Sequence, residues 1–138
     1  YAELEQAQKI FDNRMASWNM YRTLLKPLED QGLLQLPIIP EECKHNAHMF
    51  YIKVANLEER TRLIAHLVKN GILAVFHYVP LHSAPAGKRF GEFRGTDKFT
   101  TSESNRLLRL PMYYGLKPND IEFVCKNVYE FFNKPKQG

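Results

Sequence analysis

Cysteine is scarce in this chain and long apolar runs are missing altogether. Only Cys43 and Cys125 occur, far apart and without the spacing of a zinc site or a redox pair. A disulfide scaffold is therefore excluded as the organising device, and two reduced thiols are expected. No apolar stretch approaches the ~20 residues that a membrane-spanning helix needs, and no signal peptide opens the sequence. The expectation is a cytoplasmic protein with no membrane contact. Equally absent are a GxSxG nucleophile elbow, a glycine-rich phosphate loop before a helix, and paired carboxylates framed by a pocket motif. The residues alone thus supply no complete catalytic set. Internal repeats and low-complexity segments are missing too.

What is present suffices for one folded domain with its own core. The chain has 138 residues, with 44% hydrophobic and 25% charged, close to the globular average, which argues against disorder. Nine Phe, seven Tyr and one Trp supply bulky interior and interface material. The net charge is +4, but acids and bases interleave, and Lys88, Arg89, Arg94 and Lys98 form only a loose basic stretch. Without an aromatic-flanked basic motif, no nucleic-acid partner is expected. Residue 1 is Tyr, and Tyr1-Ala2-Glu3-Leu4 reads as helix interior without a capping residue, so the chain is expected to be a fragment lacking an N-terminal portion.

Along the chain, Leu4, Ala7, Phe11, Met15, Trp18, Tyr21, Leu25 and Leu28 recur at three- and four-residue steps. That spacing predicts a long helix over 1–32, kinked or ended near Pro27 and stopped at Gly32. Such a stripe suits a connecting helix packed on both its domain and a neighbour. Residues 33–138 then form the domain proper. Leu33–Pro40 reads as an extended connector, and His48–Val54 as a strand with Phe50, Ile52 and Val54 on one face. Asn56 with Glu59 resembles a capping box opening a helix with Leu63, Ile64, Leu67 and Val68 inward, ended by Asn70-Gly71. His66 falls off that stripe and reads as exposed.

Ile72–Val79 reads as a buried second strand, and Pro80–Thr100 as a twenty-residue loop anchored by Phe90, Phe93 and Phe99. Thr100 with Glu103 predicts a second capping box and a short helix to about Leu107. Leu108–Met112 predicts a third strand. Pro118 opens a last helix with Ile121, Val124, Val128 and Phe131 inward, ended by Lys134-Pro135. Three short strands with helices on one side give an α+β sandwich whose other sheet face is free for a partner.

The chemistry-bearing residues gather around Ala74–His82, where His77, Tyr78 and His82 fall at the end of a strand, a common place for a binding site. By alternation His77 shares a face with Val75 and Val79, while Phe76 and Tyr78 take the other. His77 reads equally well as a binding residue or a satisfied half-buried histidine. Two histidines lack a third metal ligand at usable spacing, so no metal is expected. Arg109, inside Leu107-Leu108-Arg109-Leu110-Pro111, needs a partner or an anionic ligand unless it lies on the polar face of an edge strand. His45 and His48 read as structural.

Several blocks resemble one family in order. They are Asn46-Ala47-His48-Met49-Phe50-Tyr51-Ile52, Val75-Phe76-His77-Tyr78-Val79-Pro80-Leu81-His82, Ala84-Pro85-Ala86-Gly87, Phe90-Gly91-Glu92-Phe93, Thr100-Thr101-Ser102-Glu103-Ser104, and Arg106 to Met112. Together they are similar to the C-terminal region of the DegT/DnrJ/EryC1/StrS sugar aminotransferases. The resemblance implies the small C-terminal domain of a fold-type I pyridoxal-phosphate-dependent transferase: a three-stranded, mainly antiparallel sheet with helices on one face, preceded by the long connecting helix. It implies a parent enzyme, usually a homodimer, that moves an amino group from glutamate to a 4-keto nucleotide sugar. The large domain, with the lysine and phosphate-binding residues that hold the cofactor, would be absent from this chain, which alone would be inactive and bind no cofactor. His77, Tyr78, His82 and Arg109 would be its substrate-binding contribution, with the 80–100 loop over the substrate. The competing expectation is a standalone, non-catalytic α+β interaction or regulatory domain.

Overall fold

The computed structural model describes residues 2–133. A short turn of helix, α1 (Ala2–Glu5), leads through Gln6 into the long helix α2 (Ala7–Asp30). Pro27 is accommodated inside the helix, which continues to Asp30, so of the two expectations at Pro27 an end there is not seen, while the stop near Gly32 is. The backbone then reverses at Gly32, whose φ of 72° lies in the left-handed region open to glycine. The predicted apolar stripe is real but buried only from its middle onward. Trp18, Tyr21, Leu25 and Leu28 enter the core, whereas Leu4 is 77% exposed and Phe11 is exposed.

Strand β1 (Phe50–Lys53) alternates buried and half-buried side chains, with Phe50 and Ile52 fully inside and Val54 just beyond it. Helix α3 (Leu57–Lys69) opens on Asn56, whose Oδ1 accepts from the Glu59 amide at 2.9 Å. The Glu59 carboxylate reaches back one residue further than expected and accepts from the Ala55 amide at 2.9 Å. Gly71 closes the helix at φ 76°. Two expectations on α3 are corrected: Val68 is exposed, and His66 is half-buried. Its Nε2–H donates to the Asn127 carbonyl at 3.1 Å, and its ring lies 5.9 Å from Phe131.

Strand β2 is only Val75–Phe76, and both residues are exposed, in contrast to the expected eight-residue buried strand. The 80–100 segment is not a plain loop, because α4 (Pro85–Phe90) forms within it. Its phenylalanines do not anchor it: Phe90 is 78% exposed, and Phe93 and Phe99 are exposed too. Helix α5 (Thr100–Arg106) runs into β3 (Leu107–Leu110), and α6 (Pro118–Asn133) completes the described chain. The expected stop of α6 at Lys134-Pro135 lies outside the described residues.

The sheet order is β1-β3-β2, antiparallel throughout, so the last strand in sequence is the central one. Its register sets Tyr51, Arg109 and Val75 in one row and Ile52, Leu108 and Phe76 in the next. Opposed residues share a face, so the second row looks toward the helices and the first toward the open side. Arg109 thus sits on the central strand, not on an edge as one reading of the sequence had it. Helices α2, α3 and α6 build the other layer. Trp18 meets Phe50 edge-on at 5.4 Å and Tyr21 stacks on it at 4.9 Å. Burial raises the Tyr21 phenol well above its ordinary value, and its O–H donates to the Pro111 carbonyl at 3.0 Å.

The long helix also holds the connector after it. The Arg22 guanidinium donates to Pro37 O at 2.8 Å, and the Leu36 amide donates to the Glu29 carboxylate at 2.8 Å. Gln35 then bridges to Lys53 as a short extension of the sheet beyond β1. At the entry to β1, Arg14 donates to the carbonyls of Ala47 and His48, where Ala47 takes a positive φ of 50°.

Candidate functional site

The polar residues of interest lie where β2 leaves the sheet and α5 feeds β3. His77 follows the two paired residues of β2, and its ring meets that of Tyr78 edge-on at 4.2 Å. Ser104 on α5 donates its hydroxyl to the Tyr78 carbonyl, which fixes the backbone as it departs. Between them is a cleft of about 270 Å³ lined by His77, Tyr78, Pro80, Thr100, Glu103, Ser104 and Leu107. Tyr78 is 68% exposed at its rim.

His77 and Arg109 form the electrostatic centre of this surface. The Nδ1 of His77 and the Nε of Arg109 are both buried atoms without a hydrogen-bond partner. Burial, and secondarily the Arg109 charge, push the His77 imidazole below its ordinary value, so it is held neutral. Among the described residues Arg109 makes no ion pair, unlike its neighbours. Lys53 on the same open face is paired with Glu103, and Arg106 also reaches Glu103 at 3.2 Å while donating to Val54 O at 2.8 Å. Those two cations hold the Glu103 carboxyl below the usual carboxylate range, with the Lys53 hydrogen bond the main cause. A guanidinium without a counter-ion, next to a neutral imidazole, is chemically suited to an anionic oxygen.

His82 stands apart from this pair. It lines a second, larger cleft of about 790 Å³ with Leu81, Gly87, Lys88, Phe90 and Phe93. Its Nε2 lies 3.0 Å from an Asp97 carboxylate oxygen and 3.3 Å from Thr101 Oγ1, and its ring rests 4.5 Å from that of Phe93. Asp97 accepts the Thr101 hydroxyl and also the Thr101 backbone amide at 3.2 Å. Asp97 therefore caps α5, where the sequence pointed to Thr100 with Glu103. The Thr101 hydroxyl is the chief reason that the Asp97 carboxyl lies below its ordinary value.

The structure thus brings His77, Tyr78 and Arg109 onto one surface and sets His82 in a neighbouring cleft. Sequence reasoning missed Asp97 and Thr101. The available signal was an acidic residue two positions before Phe99, the N-cap of the helix starting at Thr100, close enough for its carboxylate to accept from a first-turn amide.

No group of three His, Cys, Asp or Glu side chains among the described residues is arranged to hold a metal ion. None of the described helices is long and apolar enough to cross a membrane. Two lysines are held in ion pairs: Lys53 with Glu103, and the exposed Lys26 with Glu29 and Asp30.

The sequence profile of the DegT/DnrJ/EryC1/StrS aminotransferase family matches residues 1–129. The chain belongs to this family. The aminotransferase TlmJ from Streptoalloteichus hindustanus superposes with a TM-score of 0.82 at 19% identity, over 95% of this chain and 34% of that one. A DegT DnrJ EryC1 StrS aminotransferase from Brucella abortus gives a TM-score of 0.75 at 26% identity, over 95% of this chain and 34% of that one. A "Pleiotropic regulatory protein" of Geobacillus stearothermophilus is 26% identical over 106 residues, 76% of this chain and 28% of its own length. The chain spans about a third of the length of these relatives. Its fold is the small α+β domain of pyridoxal-phosphate aminotransferases, with a three-stranded antiparallel sheet and helices.

Proposed function

We propose that this chain is the C-terminal, substrate-facing part of a pyridoxal-phosphate-dependent nucleotide-sugar aminotransferase. Residues 1–32 would be the connecting helix and 33–138 the small domain, with the large cofactor-holding domain outside the chain. The parent enzyme would convert a dTDP-4-keto-6-deoxy sugar to the 4-amino sugar with glutamate as donor. The sequence blocks favour dTDP-4-amino-4,6-dideoxygalactose transaminase, which serves surface polysaccharides such as enterobacterial common antigen and lipopolysaccharide. The enzyme would act as a cytoplasmic homodimer. The observation that carries the reading is the open sheet face, where Arg109 has no counter-ion beside a neutral His77.

In this reading Arg109 holds a carboxylate or phosphate oxygen, and His77, Tyr78 and His82 hydrogen-bond sugar or phosphate oxygens. The cofactor would supply the amino-group chemistry, and the described residues do not fit the task of anchoring it. With the large domain outside the chain, the isolated chain would be inactive and hold no cofactor.

Reading the coding region upstream of Tyr1 tests this directly. A continuous frame into a domain bearing a cofactor lysine is expected, and a start codon just before Tyr1 would overturn the proposal. In the longer protein, Arg109→Gln and His77→Ala should each lower turnover of the 4-keto sugar nucleotide by about 10- to 100-fold, the effect of losing a hydrogen bond involving a charged or buried group. Unchanged turnover in both would remove these residues from the site. The second reading is a non-catalytic regulatory or interaction domain. It is favoured by the exposed edge of β2 and by the name of the Geobacillus relative, and the start codon would bring it forward.

A further inference from the structure

The hydrogen bonds around His82 leave no freedom in their direction. Asp97 Oδ2 already accepts the Thr101 hydroxyl, so the only proton on Thr101 Oγ1 is committed to the carboxylate. At 3.2 Å the Thr101 amide adds a second donor to the same carboxylate. Thr101 Oγ1 and the ionised Asp97 can therefore offer His82 only acceptors, at 3.3 and 3.0 Å from Nε2. A neutral imidazole meeting two acceptors at one nitrogen must carry its proton there. Its other nitrogen, Nδ1, has no hydrogen-bond partner among the described residues and is not a buried atom left unsatisfied.

The cleft beside that ring has a matching character. Phe93 packs against His82, and Leu81, Ala86, Phe90 and the bare backbone of Gly87 extend the apolar lining, with Lys88 and Glu92 as its charges. An aromatic wall with a hydrogen-bond acceptor at its edge suits a ligand that has an apolar face and hydroxyl groups at its rim. A hexose ring has both, whereas a bare phosphate offers no donor to a neutral Nδ1.

We propose that Asp97 and Thr101 are positioning residues that fix His82 as the Nε2–H tautomer, so that Nδ1 accepts a hydrogen bond from a sugar hydroxyl in the cleft bounded by Phe93. The ligand class rests on the nucleotide-sugar reading above, while the tautomer follows from the three side chains alone. Asp97 then discriminates among ligands without touching them, because it decides whether His82 accepts or donates.

Nitrogen-15 NMR of the histidine rings in the labelled protein, two units above the ordinary histidine value of about 6.5, reads this directly. The expected result is His82 protonated at Nε2 and bare at Nδ1. Asp97→Asn keeps a capping oxygen for the Thr101 amide, since Asn caps helices as well as Asp, but can turn its NH₂ toward Nε2. The Nε2–H population should then fall several-fold in favour of Nδ1–H, with α5 intact by its amide shifts. A loss of helix alone would not invert a tautomer. His82 found as Nδ1–H in the unaltered protein, or a tautomer unmoved by Asp97→Asn, overturns the positioning role. Titration with dTDP-glucose should move the Nδ1 resonance while dTDP does not. If both move it equally, or neither does, the sugar assignment falls and the positioning role stands.

Discussion

The pairing of His77 with Arg109 depends on two separate causes that substitution can divide. Burial is the larger reason for the depressed imidazole, and the guanidinium is the smaller. Arg109→Gln should therefore raise the His77 titration midpoint part of the way toward the ordinary value, as followed by NMR, and a midpoint that stays put would show that the charge is not felt there. The sign for stability follows from linkage. With a lowered folded value, the unfolded chain binds more protons between that value and the ordinary ~6.5, so stability rises with pH across the window and falls as acid is added. His77 was legible in the sequence as a candidate, and so was the need of Arg109 for a partner or a ligand. The link between them was not, because it arises from the register that places Arg109 opposite Val75, two residues before His77.

At the scale of elements, Gly87 is the most crowded of the described glycines. A Cβ there would meet the Leu81 carbonyl oxygen at 1.7 Å, a backbone atom that cannot swing aside. Gly87→Ala should push α4 off the Pro80–Leu81 turn and widen the cleft beside His82. Hydrogen exchange checks it: the Lys88 and Gly91 amides, bonded to Ala84 and Gly87 carbonyls, should exchange about 5- to 150-fold faster, as expected for strain of about 1–3 kcal/mol confined to one element. Exchange of the Leu108 amide should not change, and protection of α4 equal to that of the parent would contradict the close approach. Helices were read well from the sequence because their stripes are long: Trp18 to Leu28, Leu63 with Leu67, and Ile121 to Val128 all face inward. Strand β2 was not, because Val75 and Phe76 look like core by composition yet form a two-residue edge strand, with Val75 on the uncovered face and Phe76 at the rim of the helix side. The loop was opaque for a related reason. Its order comes from His82 and Asp97 meeting across an aperiodic stretch, and no local pattern records that contact.

For the molecule as a whole, acid should act through carboxylates tied at both ends of the sheet layer. Glu29, Asp97 and Glu103 all lie below their ordinary values, each through hydrogen bonds: to the Leu36 amide, the Thr101 hydroxyl and the Lys53 ammonium respectively. Their contribution is complete above the unfolded carboxylate values of about 4 and is lost as the pH falls through the lower folded ones. Denaturant midpoints measured from pH 7 downward should therefore decline most steeply below about pH 4, and Glu103→Gln should flatten that decline. A midpoint independent of pH in this range would show that these bonds contribute nothing net.

The strand order carries a consequence for how the chain acquires its shape. The central strand begins only at Leu107, and each outer strand pairs with it alone. Apart from the Gln35–Lys53 bridge, neither β1 nor β2 has a hydrogen-bonded strand partner until Leu107 to Leu110 are in place. Sheet formation must wait for a long-range closure, whereas the helices, built on local contacts, can form first.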